Sequence, residues 1–311
     1  MTLYGVHAGT EGSSIEDVIA FWRKVESLGF GWISVWDHFY PILGAGGPGS
    51  FESVSSHAAL ALTTSRVRVG VLVYSIGYRH PAVLANAIAT IDHLSGGRAE
   101  ASLGAGWAED EYAAYGLPFP PLGERIDQFT EGTECLAGLL HDERFTYEGR
   151  HFRLFDATLG VRPVQPRVPV WVGGQGEKRT IPLAARVADG WDSPLGPAPD
   201  AFARKVAVLE AECERIGRDP GSIRRSAHVG VVRDEVHLRE LYGDYPVTDG
   251  TGSVLYGSDD QVLEGIAAFE RAGADQVLFA GAVREGTEQL ERVSALLGLR
   301  GRAAVPGEGD W

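Results

Sequence analysis

The sequence predicts a (β/α)8 barrel, a TIM-barrel α/β fold with insertions. Two observations carry that prediction. Short apolar runs rich in Val, Ile and Trp, bounded by Gly, Pro or Asp, alternate with longer segments of helical period along the whole chain. Eight such runs fit within 311 residues, which suits a closed barrel better than an open sheet. The first run leads into Gly9, Thr10, Glu11 and Gly12, not into the G-x-G-x-x-G turn of a doubly wound dinucleotide fold.

The predicted strands are Leu3–Ala8, Trp32–Trp36, Val67–Tyr74, Ala99–Leu103, Val168–Val172, Gly190–Ser193, Ser226–Val232 and Gln276–Ala280. Their near-continuous apolar character is that of parallel strands buried on both faces. In the first helix, Ile15, Val18, Ile19, Trp22, Val25 and Leu28 form one apolar stripe. Ser13 and Glu16 have capping-box spacing, and Gly29 stops the helix. Ala82–Leu94, Gly123–Leu140, Lys178–Val187, Asp200–Ile216 and Asp259–Ala272 read as further helices. Phe145–Tyr147 and His151–Leu154, joined through Gly149, read as a β-hairpin. The Gly- and Pro-rich loop Asp37–Ser50 is either a lid or a solvent-exposed excursion. Residues 1–300 are expected to form one barrel domain, with 301–311 a loose tail.

A formal net charge of −14 excludes a nucleic-acid partner that would need a basic face. A helix start can still bind an anion through its free N–H groups. Cys135 and Cys213 fit no metal or redox spacing and are expected to be reduced thiols in a cytoplasmic protein. The chain contains no apolar run of the ~20 residues that a membrane span needs. It also lacks His-Glu-x-x-His and G-x-S-x-G, so neither a metal centre nor a serine hydrolase is expected.

Barrel enzymes build their sites from the C-terminal strand ends. Those ends offer His7; Trp36, Asp37 and His38; Tyr74; Gly104, Ala105, Gly106 and Trp107, with Tyr112 beyond; Gly173, Gly174, Gln175 and Gly176 before Glu177; Trp191; and His228. An aromatic, Gly-lined mouth suits a flat cofactor. Gly173–Gly176 is either a phosphate cradle or an ordinary βα turn, and Asp37–His38 either a catalytic or a structural pair. Trp36, Tyr112, Trp191 and His228 are the candidate substrate pocket, although Trp191 could equally fill the barrel.

Several motifs carry a resemblance. They are Trp36-Asp37-His38-Phe39, Arg79-His80-Pro81-Ala82-Val83-Leu84-Ala85, Leu94-Ser95-Gly96-Gly97-Arg98, Leu103-Gly104-Ala105-Gly106-Trp107, Tyr115-Gly116-Leu117-Pro118-Phe119, Pro163-Val164-Gln165, Val172-Gly173-Gly174 and Ala188-Asp189-Gly190-Trp191. Together they resemble the luciferase-like monooxygenase superfamily, and most closely its branch that uses the deazaflavin coenzyme F420. The resemblance implies a barrel with an insertion after strand seven. It also implies a non-prolyl cis peptide within Val71–Tyr74 that backs the cofactor ring. The cofactor residues expected on this basis are His7, Val71, Leu72, Val73, Tyr74, Gly104, Ala105, Gly106, Trp107, Gly173, Gly174, Gln175, Gly176 and Glu177. His38 is expected to act on the substrate oxygen, oriented by Asp37. In sugar-phosphate dehydrogenases of the branch, a proton-donating Glu follows the strand-four Gly-x-Gly. Here Trp107 stands there.

The expected activity is hydride transfer between F420 and a small organic substrate. The alternatives are an FMN-dependent monooxygenase served by a separate flavin reductase, a non-catalytic flavin-binding barrel, and a sugar-phosphate barrel without redox chemistry. Homodimers are common in the family.

Overall fold

The structure is a computed structural model and describes residues 2–42, 49–194, 196–242 and 253–301. Its strands and helices follow in this order: β1 (Leu3–Gly9), α1 (Ile15–Ser27), β2 (Trp32–Val35), α2 (Ser53–Thr63), β3 (Arg68–Val71), β4 (Tyr74–Ser75), α3 (Pro81–Ser95) and β5 (Ala101–Gly104). Next come α4 (Glu109–Ala114), α5 (Leu122–His141), the antiparallel hairpin β6 (Phe145–Glu148) and β7 (Arg153–Ala157), then β8 (Val170–Gly173) and α6 (Thr180–Val187). The rest is β9 (Gly190–Ser193), α7 (Pro199–Ile216), β10 (Arg224–Val231), α8 (Glu235–Tyr242), β11 (Val254–Leu255), α9 (Asp259–Arg271), β12 (Gln276–Ala282) and α10 (Glu288–Leu296).

The strands pair in parallel in the order β3-β2-β1-β12-β10-β9-β8-β5-β4, and a parallel bridge from Val69 to Ala99 closes the ring. The barrel is therefore the expected one, with β3 and β4 sharing the third strand position. They are separated by a cis peptide between Leu72 and Val73, inside the window that the resemblance implies. The insertion after the seventh strand position contains α8 and β11, which extends β10 through Gly230–Val254 and Val231–Leu255.

Local signals explain most boundaries. The cap of α1 is Ser14, not Ser13: its Oγ accepts from Asp17 N at 3.1 Å. Helix α3 begins with Pro81 at its first position and ends on Gly96 in the left-handed conformation. Helix α2 was not predicted. Its Ser- and Ala-rich segment has no clear apolar stripe, and its place is set by packing of His57, Leu60 and Ala61. The predicted tail at 301–311 lies outside the described residues beyond Gly301, as do 43–48 of the Asp37–Ser50 loop.

Inside the barrel, Trp32, Leu72, Trp171 and Leu278 form an enclosed cluster, separate from the large core between strands and helices. Below it, Glu100 pairs with Arg68 and accepts from Trp171 Nε1 at 2.5 Å, while Arg68 donates to Gln165 Oε1 at 2.8 Å. Burial pushes the Glu100 carboxyl up, but the two guanidiniums of Arg68 and Arg224 outweigh it and hold it below the usual range.

His57 in α2 lies 3.0 Å from the Tyr74 hydroxyl and is completely buried. Burial lowers its pKa from 6.5 to about 4. Its contribution to stability is therefore complete above the unfolded value and is lost as the pH falls through the folded one. The shift corresponds to about 3 kcal/mol. Denaturant titrations of wild type and His57→Phe between neutral pH and about pH 4 check this: the variant loses that part of the pH dependence.

Candidate active site

Strand pleating decides which side chains reach the mouth, because alternate residues face opposite sides. On β1, the parity that places Gly5 against Trp32 and Leu278 inside the barrel also sends His7 inward. On β10, Arg224 packs over Trp171 in the floor, 5.3 Å from its ring, and the same parity sends His228 inward. Gly190 of β9 lies against the Trp171 ring, so Asp192 faces inward too. These three residues and Trp36 meet near the barrel axis. His7 and His228 have ring centroids 4.8 Å apart, and Trp36 stands edge-on to His7 at 5.7 Å.

Opposite them is the break in the third strand. Val73 projects inward between Gly104 and Gly173. A Cβ on Gly104 would come within 2.4 Å of Val73 Cγ2, and one on Gly173 within 2.5 Å of Cγ1. Those two glycines therefore make room for the bulge. Gly106 has φ +75°, and a Cβ there would meet the Tyr112 hydroxyl at 2.1 Å. Tyr112 in turn bonds Ser75 Oγ and is buried beneath the β5 turn. It supports that turn and does not line open space, which corrects its assignment to the substrate pocket.

His38 follows β2 at the edge of the mouth. Its Nδ1 lies 3.0 Å from Glu111 Oε2, and Trp107 stands edge-on to it at 5.1 Å. Glu111 also accepts from Phe39 N and Tyr40 N, both at 2.8 Å, and from the Tyr78 hydroxyl at 2.5 Å. Burial pushes its carboxyl up, but the bonds from His38, Tyr78 and Tyr40 outweigh it and hold it below the usual range. The orienting contact expected from Asp37 is thus made by Glu111. Asp37 is occupied elsewhere: it accepts from Arg79 at 2.6 and 3.0 Å, from Ser53 Oγ at 2.5 Å and from Ser75 N at 2.8 Å. It ties β2 to α2, β4 and the start of α3.

Strand pleating also decides where three other expected residues point. Trp191 faces outward, stacks on Phe202 of α7 at 5.6 Å and donates to Gly174 O at 2.8 Å. It belongs to the wall and not to the substrate pocket. Tyr74 also turns outward, to His57, and Val71 joins the outer core. Their side chains point away from the barrel interior, whereas Leu72 lies in the enclosed interior cluster and Val73 packs against it.

The Gly173–Gly176 turn leads into α6. Gln175 is tethered to Ser193 Oγ at 3.3 Å, and Glu177 pairs with Lys205 at 2.7 Å. The N–H groups of Gly176, Glu177, Lys178 and Arg179 have no acceptor among the described residues. Four consecutive free donors ahead of a helix are suited to an anion, and the side chains of Glu177 and Lys178 stay exposed beside them. Ala105 is half-buried, and Trp107, at 59% exposure, stands at the rim.

Glu111 and Ser34 complete the site but were not among the sequence candidates; Asp192, at the end of the sixth strand, and Arg79, in a motif of the resemblance, were given no role in the sequence.

A sequence model of the luciferase-like monooxygenase family matches residues 1–239. The chain belongs to that family. Over 307 residues this luciferase-like protein is 26% identical to the F420-dependent glucose-6-phosphate dehydrogenase of Microbacterium testaceum, covering 89% of this chain and 90% of the relative. It is 33% identical over 242 residues to the protein of that name from Intrasporangium calvum, covering 75% and 70%. Among solved structures, an F420-dependent secondary alcohol dehydrogenase in complex with an F420-acetone adduct superposes with a TM-score of 0.83 at 20% identity, covering 97% and 99%. Monooxygenase RslO1 from Streptomyces bottropensis gives 0.76 at 21%, covering 96% and 98%. At those identities the structural matches establish the fold shared by this luciferase-like protein.

Proposed function

We propose that this luciferase-like protein is an F420-dependent oxidoreductase that interconverts an uncharged alcohol and the corresponding carbonyl compound. One observation carries the reading: a His–carboxylate pair, His38–Glu111, stands at the mouth beside a bulge that pushes Val73 between Gly104 and Gly173. The names of the relatives support F420 as the partner of that site.

When bound, the deazaflavin supplies the hydride acceptor or donor. The Leu72–Val73 bulge would back its ring and Gly104, Ala105 and Gly106 would line its edge. The free N–H groups of Gly176–Arg179, with Lys178, would hold its phosphate. His38 manages the proton. Glu111 accepts from Nδ1–H, so Nε2 of the neutral ring is left to take the hydroxyl proton in oxidation and to return it in reduction.

Three arginines near the mouth are already paired, which supports an uncharged substrate. Arg79 is engaged by Asp37 and Glu52, Arg179 by Asp127 and Arg284 by Glu11. Trp107 occupies the position of the acid that the sugar-phosphate members carry.

Fluorescence titration of the apoprotein with F420 and with FMN tests the cofactor. Micromolar or tighter binding of F420, with FMN much weaker, is the expected result. A preference for FMN would assign the site to the monooxygenase side of the family, and binding of neither would remove the reading.

A further inference from the structure

The mouth holds a second His–carboxylate pair that the proposed chemistry does not use. His228 Nε2 lies 2.9 Å from Asp192 Oδ1, and His7 Nδ1 lies 2.7 Å from Ser34 Oγ. All four side chains are buried within the barrel, and both imidazoles retain 6% exposure. Burial, then His228, then His38 push the pKa of His7 well below its ordinary value, so the three histidines share one field.

A buried carboxylate against one ring nitrogen fixes the tautomer: Nε2 carries the hydrogen and Nδ1 is left as an acceptor. His228 Nδ1 meets no partner among the described residues. His38 presents the same arrangement in mirror sense, with Nδ1 held and Nε2 open. The mouth thus offers two oriented imidazole acceptors from opposite sides, His38 from the β2 end and His228 from β10. Trp36 lies beside His7, and Trp107 beside His38. An acceptor that reads a substrate must be met by a donor, because a polar group desolvated on binding without a partner costs affinity. One acceptor serves the hydroxyl that is oxidised. The other asks for a second hydroxyl.

We infer that the substrate is a neutral compound with at least two hydroxyl groups on a compact apolar ring, and that His228, positioned by Asp192, binds the hydroxyl that is not oxidised. The inference rests on the proposed function of the same mouth. It makes His228 a specificity-determining residue.

The test compares cyclohexanol with its vicinal diol in the F420-loaded protein. Imidazole NMR resonances, assigned by His228→Gln, are followed as each probe is added, and F420 reduction is followed in parallel. The diol is expected to shift the His228 signals and to be preferred over cyclohexanol in kcat/KM by about 10- to 100-fold. In His228→Phe that preference collapses toward unity, through KM more than kcat. Asp192→Asn, which keeps the side-chain volume, has the same effect and serves should His228→Phe fail to fold. If F420 binds but the diol leaves the His228 signals unmoved, or the preference survives in both variants, the inference is overturned while the cofactor reading stands. Failure to bind F420 strikes the cofactor reading instead.

Discussion

Replacing His38 with alanine lowers kcat by about 10²- to 10⁴-fold, the range contributed by a positioned general acid–base group. F420 affinity in this variant stays within a few-fold of wild type, because the bulge at Val73 and the turns at Gly104–Gly106 and Gly173–Gly176 are built without the imidazole. The fold is expected to survive, since Glu111 keeps its bonds from Phe39 N, Tyr40 N and the Tyr78 hydroxyl without the imidazole. Stopped-flow reduction of F420 at saturating substrate, together with a cofactor titration of the same preparation, separates the two quantities. Turnover at the wild-type rate with normal cofactor binding would remove His38 from the chemistry. The mouth would then have to work through its other histidines.

Glu111→Ala is the more damaging change to the architecture. The carboxylate is the acceptor for Phe39 N, Tyr40 N and the Tyr78 hydroxyl, and it holds His38 Nδ1. Its removal leaves several donors without partners in a largely buried setting, at a cost on the order of 3 kcal/mol or more. The loop after β2 loses its tie to α4, and His38 loses its orientation. Stability should therefore fall together with kcat. Glu111→Gln distinguishes the two effects: the amide oxygen still accepts from the backbone N–H groups, so urea unfolding recovers most of the lost stability. The carboxylate that orients His38 is absent, so kcat recovers only in part. Equal recovery of both would mean that Glu111 acts through folding alone.

The fold class could be read because it depends on patterns that repeat. Most strand positions are short Val- and Ile-rich runs, most major helices carry an apolar stripe, and Gly and Pro punctuate them; burial on both faces of a parallel strand favours that composition. The hairpin at residues 145–157 and the turns at Gly104–Gly106 and Gly173–Gly176 follow from local glycine signals of the same kind. Helix α2 escaped because its weak stripe gives way to packing, and the cap of α1 was displaced by one residue because Ser13 and Ser14 are both competent hydroxyls.

The sequence by itself determined the barrel and part of what reaches its mouth: His7, His38, His228 and the two glycine turns. Which of them face one another was decided by the tertiary structure. Asp37 and His38 are neighbours in the chain, yet Asp37 turns to Arg79 and His38 to Glu111, 73 positions away. Trp191 and Asp192 are neighbours in β9, but pleating turns Trp191 out to Phe202 and Asp192 in to His228. A one-residue change of parity moves a side chain to the other face of a strand. A partner drawn from a distant element is fixed only when the barrel closes, and a single chain of letters records neither.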